Sequence, residues 1–157
     1  MKSASVKEIK SGLENCPPNE LLDLCLRLAK FKKENKELLT YLLFEEGNEN
    51  GYIINIKDAI DLLFSEINTS NLYYVKKSLR KIVRVANRYI RYSNVETTQV
   101  EVLLYVCEAI RDLKINMNKS AALLNIYNGL VKKIGNAING LHEDLQYDYL
   151  KELRKLE

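Results

Sequence analysis

The chain has 157 residues and a mass of 18.2 kDa, with 24 basic and 21 acidic side chains and a formal net charge of +3. A chain of this length can bury about 68 to 70% of its unfolded surface around one core, so we expect a single domain over residues 1–157. No stretch approaches the roughly 18 apolar residues of a membrane span, and no apolar run follows the basic residues at the start. We therefore expect a cytoplasmic protein that does not contact a membrane.

The first third of the chain predicts three short helices. Apolar residues recur at helical spacing from Val6 to Leu13, and Pro17 and Pro18 then end this helix and begin a second one. One buried stripe is expected on the second helix, formed by Leu21, Leu22, Cys25, Leu28 and Ala29. A third helix, with leucines at 38, 39, 42 and 43, should end in the polar stretch 45–51.

Residues 52–56 have the composition of a β-strand, Tyr-Ile-Ile-Asn-Ile. No second segment of this kind exists to pair with them, and a lone strand leaves its backbone groups unsatisfied. The pattern therefore predicts an extended lead-in, after which Asn55 caps a fourth helix that runs to about Ile67.

Helical periodicity continues through the rest of the chain. The predicted elements are a fifth helix to about Tyr92, a sixth over 95–115, a seventh over 120–139 and an eighth over 143–156. Leu103 and Val106 lie on the buried stripe of the sixth helix. Glycines at 129, 135 and 140 are expected to let a neighbouring helix approach the seventh closely.

Eight helices without paired strands predict an all-α fold. Leu-Leu pairs begin at Leu21, Leu62 and Leu103, which are 41 residues apart, and HEAT and armadillo repeats have periods of about 40 to 47 residues. The spacing favours stacked antiparallel helical hairpins that form a HEAT-like superhelix over about Asn19 to Gly140, with a closed helical bundle as the alternative. This resemblance is one of architecture and implies no function.

The sequence shows no catalytic or metal-binding motif. The one histidine, His142, stands at the predicted start of the eighth helix, where a capping or surface residue is expected. Asp58 and Asp61 share a helical face, which is typical of a solvated surface. We therefore expect no enzyme, no cofactor and no metal site, although an enzyme with a dispersed site stays an alternative.

The three cysteines do not form a disulfide or metal pattern either. Cys25 and Cys107 fall on apolar stripes and are expected in the core, where a thiol is inert. Cys16 precedes two prolines and is expected to be the accessible thiol.

The charge distribution is the most distinctive feature of the sequence. No acidic residue lies between Glu66 and Glu96, and this segment carries seven basic ones. On a helical wheel five of them lie opposite the apolar stripe of the fifth helix, namely Lys77, Lys81, Arg84, Arg88 and Arg91. Like charges at i,i+4 destabilise a helix, so negative charge from outside this helix is expected to face them.

Two sources of that negative charge fit the sequence. One is the same domain, through glutamates at 45, 46, 49, 96, 101 and 108. The other is an anionic partner, and the leading prediction is a non-catalytic helical binding or scaffold module that contacts another protein. Nucleic-acid backbone binding is the alternative, with Tyr73, Tyr74 and Tyr92 available to stack on bases. The sequence leaves the oligomeric state open.

Overall fold

A computed structural model describes residues 2–156 of the chain, so Met1 and Glu157 of the predicted domain lie outside the described residues. These residues form eight α-helices and no strand, which confirms the all-α prediction. The helices are α1 (Val6–Glu14), α2 (Pro18–Phe31), α3 (Lys33–Thr40), α4 (Glu49–Ser65), α5 (Leu72–Ile90), α6 (Glu96–Asp112), α7 (Ala121–Ile138) and α8 (Glu143–Arg154). A π-helical turn, Tyr41–Glu45, follows α3, and a short 3₁₀ turn, Met117–Lys119, precedes α7.

Contacts along the chain define two compact units. The first ends at Phe44 and contains α1 to α3, and the second begins at Glu45 and contains α4 to α8. The single domain over residues 1–157 therefore stays a prediction.

In the first unit α2 and α3 pack as a hairpin, and the predicted buried stripe of α2 is wrong. No residue of α1, α2 or α3 is buried; Cys25 is exposed, and Leu22 and Leu28 are 58% and 60% exposed. Each helix of a two-helix hairpin covers only one side of the other, so this hairpin encloses no core of its own. An apolar groove of about 240 Å³ runs between α2 and α3 and includes Cys25 in its lining.

The extended lead-in predicted at 52–56 is also wrong, because α4 already begins at Glu49. The side chain of Asn48, not Asn55, caps this helix by accepting a hydrogen bond from the Gly51 backbone N–H at 3.1 Å. Tyr52, Ile53 and Ile56 are buried, so packing outweighs their strand propensity. The helix therefore starts about two turns earlier than the composition indicated.

Helix α6 is the centre of the second unit and packs against α4, α5, α7 and α8. Its buried apolar residues cover more than half of its circumference: Val100, Val102, Leu103, Leu104, Val106, Cys107 and Ile110. The other main contacts join α4 to α5, α5 to α7 and α7 to α8. Helices thus contact their neighbours and next neighbours along the chain, and both a helical bundle and a stack of hairpins fit this packing.

Helix starts and buried positions recur at a regular spacing in the second unit. Helices α4, α6 and α8 begin at Glu49, Glu96 and Glu143, which are 47 residues apart. Five buried residues of α5 (Val75, Leu79, Ile82, Ala86 and Ile90) recur 48 residues later in α7 (Leu123, Tyr127, Leu130, Ile134 and Ile138). The 41-residue spacing of the Leu-Leu pairs does not match these positions, since Leu62 is 70% exposed whereas Leu103 is fully buried.

The carboxylate of Glu49 ties the first turn of α4 to the connection between α5 and α6. Its Oε1 accepts hydrogen bonds from Ser93 Oγ and from Thr98 Oγ1, both at 2.5 Å. Thr98 is fully buried and would otherwise leave a hydroxyl without a partner in the core. This contact fixes where the chain turns between the two helical hairpins.

We expect the replacement of Leu103 by Ala to lower the free energy of unfolding by about 2 to 5 kcal/mol, because it opens a cavity at a fully buried site of the central helix. Chemical denaturation of the parent and variant would measure this loss. Leu62→Ala is the matched control, since Leu62 is exposed and its loss should cost much less. Equal losses for the two variants would contradict the packing around α6.

The thiols should react in an order different from the one expected from sequence. A bulky thiol reagent should label exposed Cys25 first and half-buried Cys16 more slowly, and should reach buried Cys107 only when the protein opens. Burial also raises the pKa of the Cys107 thiol to about 12, which removes its reactive thiolate at neutral pH. Mass spectrometry of the labelled protein, with Cys25→Ser as the control that removes the fast phase, would check the order. Fast labelling of Cys107 would contradict it.

Candidate anion-binding site

The sequence-predicted basic residues of α5 lie where the helical wheel places them, opposite a fully buried stripe. Val75, Ile82 and Ala86 are fully buried and fix the orientation of the helix. Four of the five predicted residues are exposed: Lys77, Lys81, Arg84 and Arg91. The apolar stripe thus forces these positive charges to the surface.

Arg88 differs from the other four predicted residues. It is half-buried, and its guanidinium carbon lies 5.3 Å from the centre of the Tyr89 ring, a cation–π contact. Its charge is therefore partly used inside the protein. Arg88 is therefore not one of the exposed cations of this surface.

No salt bridge within residues 2–156 includes Lys77, Lys81, Arg84 or Arg91. Three of the six glutamates expected to neutralise them accept other hydrogen bonds. The carboxylate of Glu49 binds Ser93 and Thr98, Glu101 accepts a hydrogen bond from the Tyr149 hydroxyl at 3.0 Å, and Glu45 accepts one from the Asn55 amide at 3.4 Å. Four exposed cations, three on α5 and Arg91 at its C-cap, thus have no carboxylate partner among the described residues.

A groove of about 340 Å³ between α5 and α7 lies beside this basic surface. We call it the basic groove. Its rim carries Arg80 and Arg84 from α5 and Lys133 from α7, and its floor is apolar, formed by Val83, Ile126 and Leu130. Gly129 and Asn87 complete the lining. The groove therefore combines an apolar floor with a positively charged rim.

Asn87 holds Lys133 at the rim of the basic groove. The Asn87 amide nitrogen donates to the Val83 carbonyl at 2.7 Å, and this leaves its oxygen to accept a hydrogen bond from the Lys133 ammonium. Partial burial lowers the pKa of Lys133, and the positive charge of Arg91 lowers it further. A bound anion would offset both effects by favouring the charged ammonium.

Gly129 leaves space in the basic groove, contrary to the expectation that it lets a helix approach closely. A Cβ atom built on Gly129 would have no neighbour within 4 Å, whereas one on Gly135 would lie 3.7 Å from Leu153 of α8. A glycine inside a helix costs about 0.5 to 1 kcal/mol relative to alanine. Packing thus gives no reason for a glycine at 129.

Sequence reasoning missed part of this site. Arg80 is one of the basic residues of α5 but does not fall on the face opposite the apolar stripe, and Lys133, Ile126 and Gly129 belong to another helix. The three residues of α7 are distant along the chain from the basic residues of α5, so no local sequence pattern connects the two sets. The apolar residues of α5 recur 48 residues later in α7, and this recurrence in the sequence indicates that the two helices turn corresponding positions toward the core.

The tyrosines proposed to stack on bases are only partly available. Tyr73 and Tyr74 are 58% and 50% exposed and contact each other edge to face, and the Lys76 ammonium lies 5.2 Å from the centre of the Tyr73 ring. Tyr92 is buried, so its predicted role in stacking is wrong. The two exposed rings lie at the start of α5 and do not line the basic groove.

Another groove, of about 310 Å³, lies between α4 and α6 and carries acidic residues. Its lining includes Asp61, Glu108 and Asp112, together with Tyr105. The Tyr105 hydroxyl donates to Asp61 at 2.5 Å, and this bond, helped by partial burial and nearby carboxylates, raises the pKa of Tyr105 to about 12. A phenol held so firmly in its protonated form is a poor proton donor at neutral pH.

The other candidate catalytic or metal-binding residues do not come together within residues 2–156. His142 is exposed and caps α8, accepting a hydrogen bond from the Asp144 backbone N–H, as predicted. Within the predicted acidic pair, Asp61 accepts a hydrogen bond from the Tyr105 hydroxyl, and Asp58 is exposed. No group of three His, Cys, Asp or Glu residues among the described ones is placed to hold a metal ion.

Comparison with protein families, characterised proteins and solved structures gave no match to this chain. None of the described helices combines the length and the apolar composition needed to cross a lipid bilayer. The geometry of the two grooves and of the basic helix is therefore the basis for inferring a function.

We expect the unfolding free energy to fall as the pH rises from about 10 to about 12. The hydrogen bond to Asp61 and partial burial raise the pKa of Tyr105 to about 12, and burial together with the hydrogen bond to Glu101 raises the pKa of Tyr149 to about 12. An unfolded tyrosine has a pKa of about 10. Between these values the unfolded chain loses protons that the folded protein keeps, which favours unfolding. Denaturation at several alkaline pH values would measure the decline in unfolding free energy, and the double variant Tyr105→Phe, Tyr149→Phe should show a shallower decline.

The control is Tyr147→Phe, at an exposed tyrosine. An identical decline in the double variant would refute the two tyrosine–carboxylate contacts.

Proposed function

We propose that this protein is a non-catalytic helical binding module, located in the cytoplasm, that holds an acidic segment of another protein against the basic surface of α5 and the adjoining basic groove. The observation that carries this proposal is the set of four exposed cations, Lys77, Lys81, Arg84 and Arg91, without a carboxylate partner in residues 2–156.

Electrostatics supports an external anion. Lys77 and Lys81, and likewise Arg80 and Arg84, are like-charged pairs at i,i+4, each of which destabilises a helix by a few tenths of a kcal/mol. Arg91 and Lys133 add a further repulsion from two different helices. An acidic partner would convert these repulsions into attractions and would also speed association.

A protein partner is favoured over nucleic acid by the chemistry of the site. A site for single-stranded nucleic acid without base readout combines a charged track with aromatic stacking platforms. The lining of the basic groove within the described residues contains no aromatic side chain, and its floor is apolar. The exposed pair Tyr73 and Tyr74, together with the exposed cations of the basic surface, fits nucleic acid, so nucleic acid is the second candidate.

The triple variant Lys81→Gln, Arg84→Gln, Arg91→Gln tests the proposal. We expect its affinity for polyglutamate to fall by about tenfold, from three exposed charge pairs at roughly 0.5 kcal/mol each. The stability of the free protein should stay the same or rise slightly, because repulsions are removed. Fluorescence anisotropy at low and high salt would measure binding, and thermal denaturation would measure stability.

The control removes the same charge elsewhere on the second unit. Lys119, Lys151 and Arg154 are exposed and lie outside the basic groove, so their replacement by Gln should change the affinity much less. If both triple variants lost the same affinity for polyglutamate, net charge alone would explain the binding. That result would contradict the proposal. A marked loss of stability in the first variant that shrinks with added salt would instead indicate neutralisation within the domain.

A further inference from the structure

The basic groove differs from a plain charged surface because its floor is apolar. Val83 and Ile126 are half-buried and Leu130 is buried, so apolar surface lies open between two helices at the centre of the groove. A partner that supplied only negative charge would leave this surface unused. Burying it requires apolar side chains from the partner.

We infer that the basic groove receives an amphipathic helix of a partner protein, whose apolar side chains enter the groove and whose acidic side chains face Arg80, Arg84 and Lys133. This inference rests on the proposed function and specifies the kind of acidic segment that is bound. Recognition of an amphipathic helix by an apolar groove is a recurring mode of protein association.

The dimensions of the groove fit a short helical segment. Along α5 its lining runs from Arg80 to Asn87, which corresponds to about 10 Å at 1.5 Å per residue. Along α7 it runs from Ile126 to Lys133, an equal length. About two turns of a partner helix would therefore lie in the groove, with apolar residues at positions such as i, i+3 or i+4, and i+7.

Gly129 provides the room that such a helix needs. No atom lies within 4 Å of a Cβ placed at this position, so a side chain here would extend into the open groove. A large side chain at 129 would occupy the space of the partner without altering any charge. A substitution at 129 therefore tests how much the shape of the groove contributes to binding, independently of its charge.

The rim also matches an acidic helix in its arrangement. Arg80 and Arg84 are one turn apart on α5, and Lys133 of α7 lies at the same groove, hydrogen-bonded to Asn87 of α5. Acidic residues on both sides of the partner's apolar stripe could therefore pair with cations on both edges of the groove. Asn87 holds the ammonium of Lys133 in place, so part of the rim is ordered before binding.

The experiment uses the full chain and a fluorescein-labelled synthetic helix that has leucines on one face and glutamates on both flanks. A peptide of the same composition in scrambled order, which cannot form one apolar face, is the comparison. We expect the amphipathic peptide to bind about tenfold or more tightly than the scrambled one. Equal binding of the two would overturn the inference.

Three substitutions in α7 test the location. Gly129→Phe should weaken binding of the amphipathic peptide by about tenfold or more, because it fills the groove. Asn128→Phe adds the same side chain at the adjacent exposed residue, outside the groove lining, and should leave the affinity within about twofold. Gly129→Ala keeps the groove open and should bind like the parent, and circular dichroism would verify that all three variants fold. Unchanged binding by folded Gly129→Phe would overturn the inference.

The outcomes also separate this inference from the proposed function. If polyglutamate binding depends on Arg84 and Arg91 but Gly129→Phe has no effect on either probe, the acidic-partner function stands and the helix in the groove does not. If single-stranded or duplex nucleic acid binds and neither acidic probe does, both proposals fail in favour of the nucleic-acid candidate. If no probe binds at low salt, both proposals fail together.

Discussion

The burial of α6 is the constraint on which the second unit depends. More than half of the circumference of this helix is apolar and buried, so it can be covered only by several helices at once, and α4, α5, α7 and α8 surround it. Because α5 and α7 both turn an apolar stripe toward the core, their remaining faces meet along a surface groove. The basic groove is thus a result of the same packing that stabilises the unit.

Hydrogen bonds between side chains then join the helices around this core to one another. Glu49 joins the start of α4 to the connection before α6, and Tyr149 and Glu101 join α8 to α6. Both carboxylates consequently accept hydrogen bonds within the protein. Lys77, Lys81, Arg84 and Arg91 form no salt bridge with a carboxylate among residues 2–156.

Periodicity predicted α5, α6, α7 and α8 to within a few residues, because each carries a continuous apolar stripe and a break at each end. It failed at residues 52–56, where β-branched side chains suit a strand locally but are held in a helix by burial of Ile53 and Ile56. It also failed at Cys25, since an apolar stripe shows which side of a helix avoids water and not whether anything covers it. The basic residues of α5 followed from the sequence, whereas Lys133 and Gly129 required knowledge of which helices are adjacent.

The recurrence of helix starts and buried positions every 47 to 48 residues has a consequence for how the second unit forms. Its main helix contacts join elements no more than two apart along the chain, which keeps the sequence separation of contacting residues small. Topologies of this kind fold quickly, since little chain entropy is lost before contacts form. The basic groove takes its lining from α5 of the α4–α5 hairpin and from α7 of the α6–α7 hairpin, so it is complete only when both hairpins have formed and packed together.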